Sequence, residues 1–488
     1  MSKFYVTTSI AYTNAPPHIG YAMELIQADV LARYHRQLGD DVWSLTGADE
    51  HGAKIDRAAE AAGIKPQKYV DDLDKIFRGL KDVLNLSYDQ YIRTTDEAHK
   101  KVAQKLWKAC AKDIYEAEYE GYYCVECETF YTLTDAPKKV CPVHNKPLEH
   151  QKQKNWFFKL SNYTKPLKEA IKSDQLKIIP ESRKNEILSL LESGLEDISI
   201  SREKSQLSWG IPVPGDADQV MYVWFDALTN YISALDYPDG AQFKKFWPAD
   251  YHVIGKDIIR HHAAIWPAML LSAGIELPKA IYAHGWVNMN GEKLSKSQGN
   301  GILPQDVTTQ YGVDALRYYL LREVSSIGDG DFTWERLDTV YKSDLSNDLG
   351  NLVQRVSVMI TKYYEGKIGD LPNHSHDTSD YDNAMTELRF DHALEAIWLL
   401  VRGLNQYLEE EQPWHKAKDD PNGLREVLHH AVADLNQIAI LLLPFMPGTA
   451  QKIIATFADG EIHTKVGMLF PPIEMADTTI EKTTFEVE

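Results

Sequence analysis

At 488 residues the chain is too long for one ordinary hydrophobic core and predicts two to four domains. A formal charge of −19 excludes a protein that coats nucleic acid indiscriminately, so any RNA partner has to be held by a local patch. The longest apolar stretch, 438–446, is far short of a membrane span, the start Met1-Ser2-Lys3-Phe4-Tyr5-Val6 lacks the pattern of a signal, and three of the four cysteines lie within eighteen positions, so the expectation is a soluble cytosolic protein with no membrane partner and no disulfide framework.

In chain order, 4–10 is rich in β-formers and the turn 14–17 precedes a helical pattern of Met23, Leu25, Ile26, Val30, Leu31 and Tyr34. A second short strand is predicted at 41–45, ending at the polar Thr46-Gly47-Ala48-Asp49-Glu50-His51-Gly52, as at the C-terminal edge of a parallel sheet. From about Tyr115 to Val220 the composition shifts to cysteine, proline, lysine and aromatic residues, which predicts an insertion. The strand-helix pattern resumes at Met221 and again at Tyr251. From about Gly350 only helical periodicity remains, as in Leu394, Ile397, Trp398 and Val401, with a polar loop over 373–382. The fold class expected is therefore α/β: a Rossmann-like parallel-sheet domain (1–115 and 221–325) split by an insertion (116–220) and followed by a linking segment and an all-α helix bundle (326–488).

Two strings carry phosphate chemistry. Pro17-His18-Ile19-Gly20 opens a helix whose free backbone N–H groups, with the His18 imidazole, can hold phosphates, while Gly20 lets a flat base or ribose approach. Lys293-Leu294-Ser295-Lys296-Ser297, beside glycine-rich 298–300, can neutralise a triphosphate from the other side, Lys296 on the α- and β-phosphates with Lys293 assisting. Trp224, Ala227, Leu228 and Tyr231 share one helical face, as do Ile258, His262 and Trp266, and together these rings can surround a long unbranched thioether. Cys124-Val125-Glu126-Cys127 and Cys141-Pro142-Val143-His144, with thirteen residues between them, have the spacing of one structural zinc knuckle, closed and therefore not catalytic. Cys110, in a helical stretch, is left as a buried thiol.

The pair of strings, in this order, resembles the HIGH and KMSKS motifs of the class I aminoacyl-tRNA synthetases, and the residues between and after them resemble the methionyl-tRNA synthetase family over nearly the whole chain. The resemblance implies an ATP-dependent ligase, with Mg²⁺ accompanying ATP, that activates L-methionine and transfers it to tRNA(Met). It assigns Ile10 and Tyr12 to the methionine pocket with the two stripes, Asp49 to the substrate ammonium, Asp257 to the ATP ribose, and Asn347, Asn351, Arg355, Pro413 and Trp414 to the anticodon. Two positions depart from the family pattern. Tyr21 stands where a second histidine follows the glycine, so the phosphate contact there is lost, taken by the phenol or supplied elsewhere; Leu228 stands where several relatives have proline. A leucine, valine or cysteine enzyme of the same class is disfavoured by the pocket, and the first two also by the small insertion. A catalytically silent RNA-binding protein of the same fold has only Tyr21 in its favour. A monomer is the default expectation.

Overall fold

The computed structural model describes residues 2–124, 129–131, 136–142, 145–289, 291–293, 301–369, 371, 376–457, 461–462 and 467–473. The strand Lys3–Thr8 is buried along nearly its whole length, as expected of a central parallel strand with both faces covered. It pairs in parallel with Asp41–Asp49 on one side and Tyr251–Gly255 on the other. Ala280–His284 and Lys177–Ile179 extend the second side, while Ala11–Tyr12 and Gln90–Arg93 both pair with Asp41–Asp49. The sheet thus reverses its order between Lys3–Thr8 and Tyr251–Gly255, and a crevice outside the carboxyl ends of its strands is where such sheets bind ligands.

Two strands differ from the sequence reading. The second strand does not end at Leu45 but runs to Asp49, because Thr46 and Asp49 are buried under covered faces and the polar residues there are not a loop. Lys177–Ile179, inside the stretch 116–220, belongs to the parallel sheet; a three-residue strand leaves no periodicity to find. Much of the rest of that stretch is an antiparallel sheet in which Ile114–Cys124 lies between Thr129–Tyr131 and Glu149–Phe158, with Ile198–Ser199 on the far side of the latter.

The helical third begins before Gly350, at Trp334–Val340, and continues through a π-helix at Tyr341–Gly350 into Asn351–Tyr364. Ser379–Thr386 is helical where the polar composition of 373–382 predicted a loop. The long helices Phe390–Glu411 and Pro421–Leu442 pack on the sheet domain through one continuous core that includes Ile19, Met23, Leu316, Leu320, Trp398 and Leu435. At its centre Arg317 is wholly buried. It pairs with Asp29 at 2.8 Å and donates to the carbonyls of Leu84 (3.1 Å), Pro444 (2.9 Å) and Phe445 (2.7 Å). No described helix is long and apolar enough to cross a membrane.

Candidate active site

The helix Ile19–Gln37 starts at the crevice with His18 as its N-cap. His18 Nδ1 accepts from the Gly20 N–H at 3.1 Å, which places the proton of the neutral ring on Nε2. The free backbone donors expected at this turn are in fact occupied. Ile19 N–H donates to Ile302 O (3.0 Å), and those of Tyr21 and Ala22 to His18 O (3.0 and 3.2 Å). The main-chain N–H groups of this turn, Gly20's included, are thus engaged within the protein. Tyr21 sets its hydroxyl 3.4 Å from Thr46 Oγ1 and its ring edge against Phe77.

Ile302 lies five residues past Ser297, so the bond from Ile19 ties the start of the first helix to the chain just beyond the downstream motif. That motif leaves the hairpin formed by Val287–Met289 and Glu292–Lys293, whose first strand pairs in parallel with Gly330–Phe332. Lys293 ends the hairpin, with its side chain outside the described residues, as is all of Lys296. A second tie joins the same two regions. His284 donates from Nε2 to Glu24 Oε2 (3.0 Å) and from Nδ1 to Gly285 O (2.8 Å), while Ser9 donates through N–H and hydroxyl to Glu24 Oε1. Burial opposes a charge on His284, but the Glu24 carboxylate outweighs it and raises the pKa, so the charged form is favoured where the first helix meets the strand Ala280–His284.

Neither aromatic stripe lies on one continuous helix. Val223–Leu228 breaks at Thr229 before Asn230–Ser233, and Ile258 ends a 3₁₀ turn that precedes a π-turn, His261–Ile265, before Trp266–Ala273. The residues nevertheless converge. Tyr231 hydroxyl lies 2.6 Å from His262 Nε2, and His262 Nδ1 donates to Ile258 O at 3.0 Å, which makes Nε2 the acceptor and Tyr231 the donor. Burial lowers the His262 pKa to about 4, so the ring is neutral. Trp224 meets His262 edge-on and stacks on His261, centroids 3.8 Å apart. Ala227 and Leu228 are buried beside it, and Ile10 and Ile258 pack at the margin of the same core. Trp266 is wholly buried behind Tyr231 and donates to His252 Nε2 at 3.3 Å. Asp49 is buried at the end of its strand, its carbonyl accepting from Thr13 N–H at 3.1 Å, and Tyr12 lies beneath Lys54.

The sequence reading missed the network behind this wall. Asp226, 1% exposed, accepts from His51 Nδ1 (2.6 Å) and His99 Nε2 (2.7 Å), and the other nitrogen of His99 lies 2.8 Å from Ser233 Oγ. Burial raises the Asp226 pKa, yet the two imidazoles prevail and hold the carboxyl below its ordinary range. His51 follows Asp49 by two residues and Asp226 follows Trp224 by two, so one buried carboxylate ties both to each other. Only the clustering of three polar residues in otherwise apolar patterns could have signalled it.

Asp257 is exposed at the crevice, with Oδ1 3.3 Å from the indole N–H of Trp286. Cys124 and Cys141 are both buried, while Cys127 and His144 lie outside the described residues. Cys110 is a buried thiol as expected, its pKa pushed to about 12 by burial. In the bundle Asn347 and Asn351 are exposed, Arg355 lies over the Trp414 ring at 5.6 Å, and Pro413 is buried at the start of Pro413–Asp419.

Residues 4–148 and 134–357 match the family described as tRNA synthetases class I (M), and 367–466 match the anticodon binding domain of methionyl tRNA ligase. The chain is similar to the methionine–tRNA ligases of Caldanaerobacter subterraneus subsp. tengcongensis (43% identity), Thermotoga maritima (41%) and Streptomyces coelicolor (43%) over 92% of its length, covering 73%, 74% and 88% of theirs. Among solved structures, Mycobacterium tuberculosis methionyl-tRNA synthetase in complex with methionyl-adenylate superposes with a TM-score of 0.91 at 36% identity, covering 97% of this chain and 100% of that one. The apo form of the same enzyme superposes with a TM-score of 0.82 at 33% identity, covering 97% and 99%.

Proposed function

The chain belongs to the class I methionyl-tRNA synthetases, and from that membership we propose which of its residues carry each step. It is a methionine–tRNA ligase, which activates L-methionine with ATP to methionyl-adenylate and pyrophosphate and then transfers methionyl to the 3′-terminal adenosine of tRNA(Met), for initiation and elongation. ATP is used with Mg²⁺. The methionine carboxylate forms a bond to the α-phosphorus as the bond to pyrophosphate breaks; in the second step the terminal ribose hydroxyl attacks the acyl carbon and AMP leaves with the electron pair. No covalent protein intermediate is needed, so positioning and charge stabilisation carry the rate.

His18 donates from Nε2 to a phosphate oxygen, Gly20 gives that ring its room, and Lys293 and Lys296 neutralise the departing pyrophosphate. Tyr21 borders the same nucleotide site, and Asp257 accepts from the ribose. The observation that carries this reading is the bond from Ile19 N–H to Ile302 O, which ties the start of the first helix to the chain five residues past Ser297. Trp224, Ala227, Leu228, Tyr231, Ile258, His262, Ile10 and Tyr12 enclose the thioether side chain, with Trp266 backing Tyr231, and Asp49 holds the ammonium. A neutral His262 supports this, since an uncharged wall costs a thioether nothing and excludes a charged side chain. Methionine-dependent exchange of pyrophosphate into ATP is the test: exchange with leucine or valine in its place, or no exchange with any amino acid, sinks the assignment.

Cys124, Cys127, Cys141 and His144 would hold one structural zinc. The donor set suits that metal, and two features of the described residues support it: both described thiols are buried, and Cys141 opens a tight turn in which Asn145 N–H donates to its carbonyl (2.9 Å) and its own N–H donates to Lys146 O (2.8 Å). One zinc per purified chain is the expected metal content. Asn347, Asn351, Arg355, Pro413 and Trp414 form the anticodon reader, supported by the Arg355 guanidinium lying over the Trp414 indole at 5.6 Å. Trp414→Ala is expected to weaken charging of tRNA(Met) while leaving pyrophosphate exchange intact. The domain limits 1–115, 116–220, 221–325 and 326–488, with Lys177–Ile179 returned to the parallel sheet, a cytosolic setting and a monomeric state complete the reading, the last open to light scattering.

A further inference from the structure

Beside the ribose-binding carboxylate sits a cluster that the steps above leave without a task. Trp286 stands at the root of the lysine-bearing hairpin. Its backbone N–H donates to Asp329 Oδ1 at 2.9 Å, its indole N–H to Asp257 Oδ1 at 3.3 Å, and Lys256 Nζ lies 4.0 Å from its ring centroid. Lys256 in turn reaches both oxygens of Asp329 at 2.6 Å. The approach is close on the other side too, since a Cβ added to Gly255 would stand 2.8 Å from Asp257 Oδ1. Two residues past Asp329, Asp331 accepts from the N–H of Gly291 at 2.9 Å and so pins the turn of the same hairpin.

We propose that Trp286 is a positioning residue for nucleotide recognition: clamped by Lys256 and Asp329, its indole N–H holds one oxygen of Asp257 and leaves the other for a ribose hydroxyl, tying that contact to the hairpin that carries Lys293. This rests on the reading of Asp257 as the ribose acceptor. A carboxylate on an exposed turn otherwise samples several rotamers, and each time it orders on binding the nucleotide the cost appears in KM for ATP. The indole serves both ends, as its side chain fixes Asp257 while its main chain is held by the aspartate that Lys256 grips. The geometry also explains why the cation sits on the ring face, where it braces the indole without competing for Asp257.

The test is methionine-dependent pyrophosphate exchange with ATP, 2′-deoxy-ATP and 3′-deoxy-ATP, run on the parent, Trp286→Phe, Lys256→Met and Asp257→Asn. Trp286→Phe keeps an aromatic face for Lys256 and removes the N–H donor with the five-membered ring. It is expected to raise KM for ATP about tenfold, to leave kcat and KM for methionine near the parent values, and to shrink the preference for ATP over the deoxy analogue by the same factor. Lys256→Met, which unclamps the ring without touching the indole N–H, is expected to give a smaller change of the same kind. If Asp257→Asn loses the preference while Trp286→Phe and Lys256→Met keep it, the positioning role is overturned and the ribose reading stands. If Asp257→Asn keeps the preference, the ribose reading falls and takes the proposal with it.

Discussion

Gly20 has ordinary helical backbone, so conformational freedom is not what this position needs. A Cβ there would stand 2.8 Å from Cε1 and 2.9 Å from Nδ1 of His18, whose ring folds back over the first turn to cap it. Gly20→Ala is therefore expected to turn the imidazole out of place: pyrophosphate exchange should fall by about two orders of magnitude, while the melting temperature, read by calorimetry, stays close to that of the parent. The motif itself was legible because its residues are consecutive. The tautomer of His18 was not, nor the occupation of the helix N–H groups, because both depend on partners such as Ile302 that lie far along the chain. His262 was found by its apolar company, yet its neighbour His261, which stacks on Trp224, was passed over because the expected α-helical spacing put it on another face.

That spacing fails at the level of the element. The π-turn His261–Ile265 and the break at Thr229 rotate successive side chains away from a 3.6-residue register, which lets His261 and His262 engage Trp224 and Tyr231 at once. Periodicity sees helices but not such local changes of pitch. The helix Val223–Leu228 is held instead by Asp226, whose imidazole partners are 175 and 127 residues away in sequence and so leave no local signal. Asp226→Asn would replace the charge shared by two imidazoles with an amide. A destabilisation of about 3 kcal/mol is expected in urea unfolding, and in the folded fraction KM for methionine should rise more than KM for ATP.

Over the whole molecule, buried histidines set how acid is tolerated. Burial lowers His252 well below the ordinary 6.5, His261 to about 3 and His262 to about 4, so the unfolded chain binds protons that the folded one refuses. The stability involved is present above pH 6.5 and is lost as pH falls from there toward those lower values. Glu50, raised to about 7 by burial, works in the opposite direction, so the informative quantity is a difference between variant and parent. His261→Phe, which keeps the stack on Trp224, is expected to lose less thermal stability than the parent between pH 7 and pH 5; an equal or steeper loss would contradict the buried-neutral assignment.

Arg317 bears on the same scale. Arg317→Met would leave Asp29 with less charge compensation and three carbonyls without their donor, and about 3 kcal/mol should be lost. Calorimetry should then resolve the helical third melting apart from the sheet. In the parent, that guanidinium and the core around it make the workbench and the reading head a single casting. An adaptor RNA is therefore expected to meet the station for its three-base loop and the station for its acceptor end on one continuous core, not on two loosely tethered lobes.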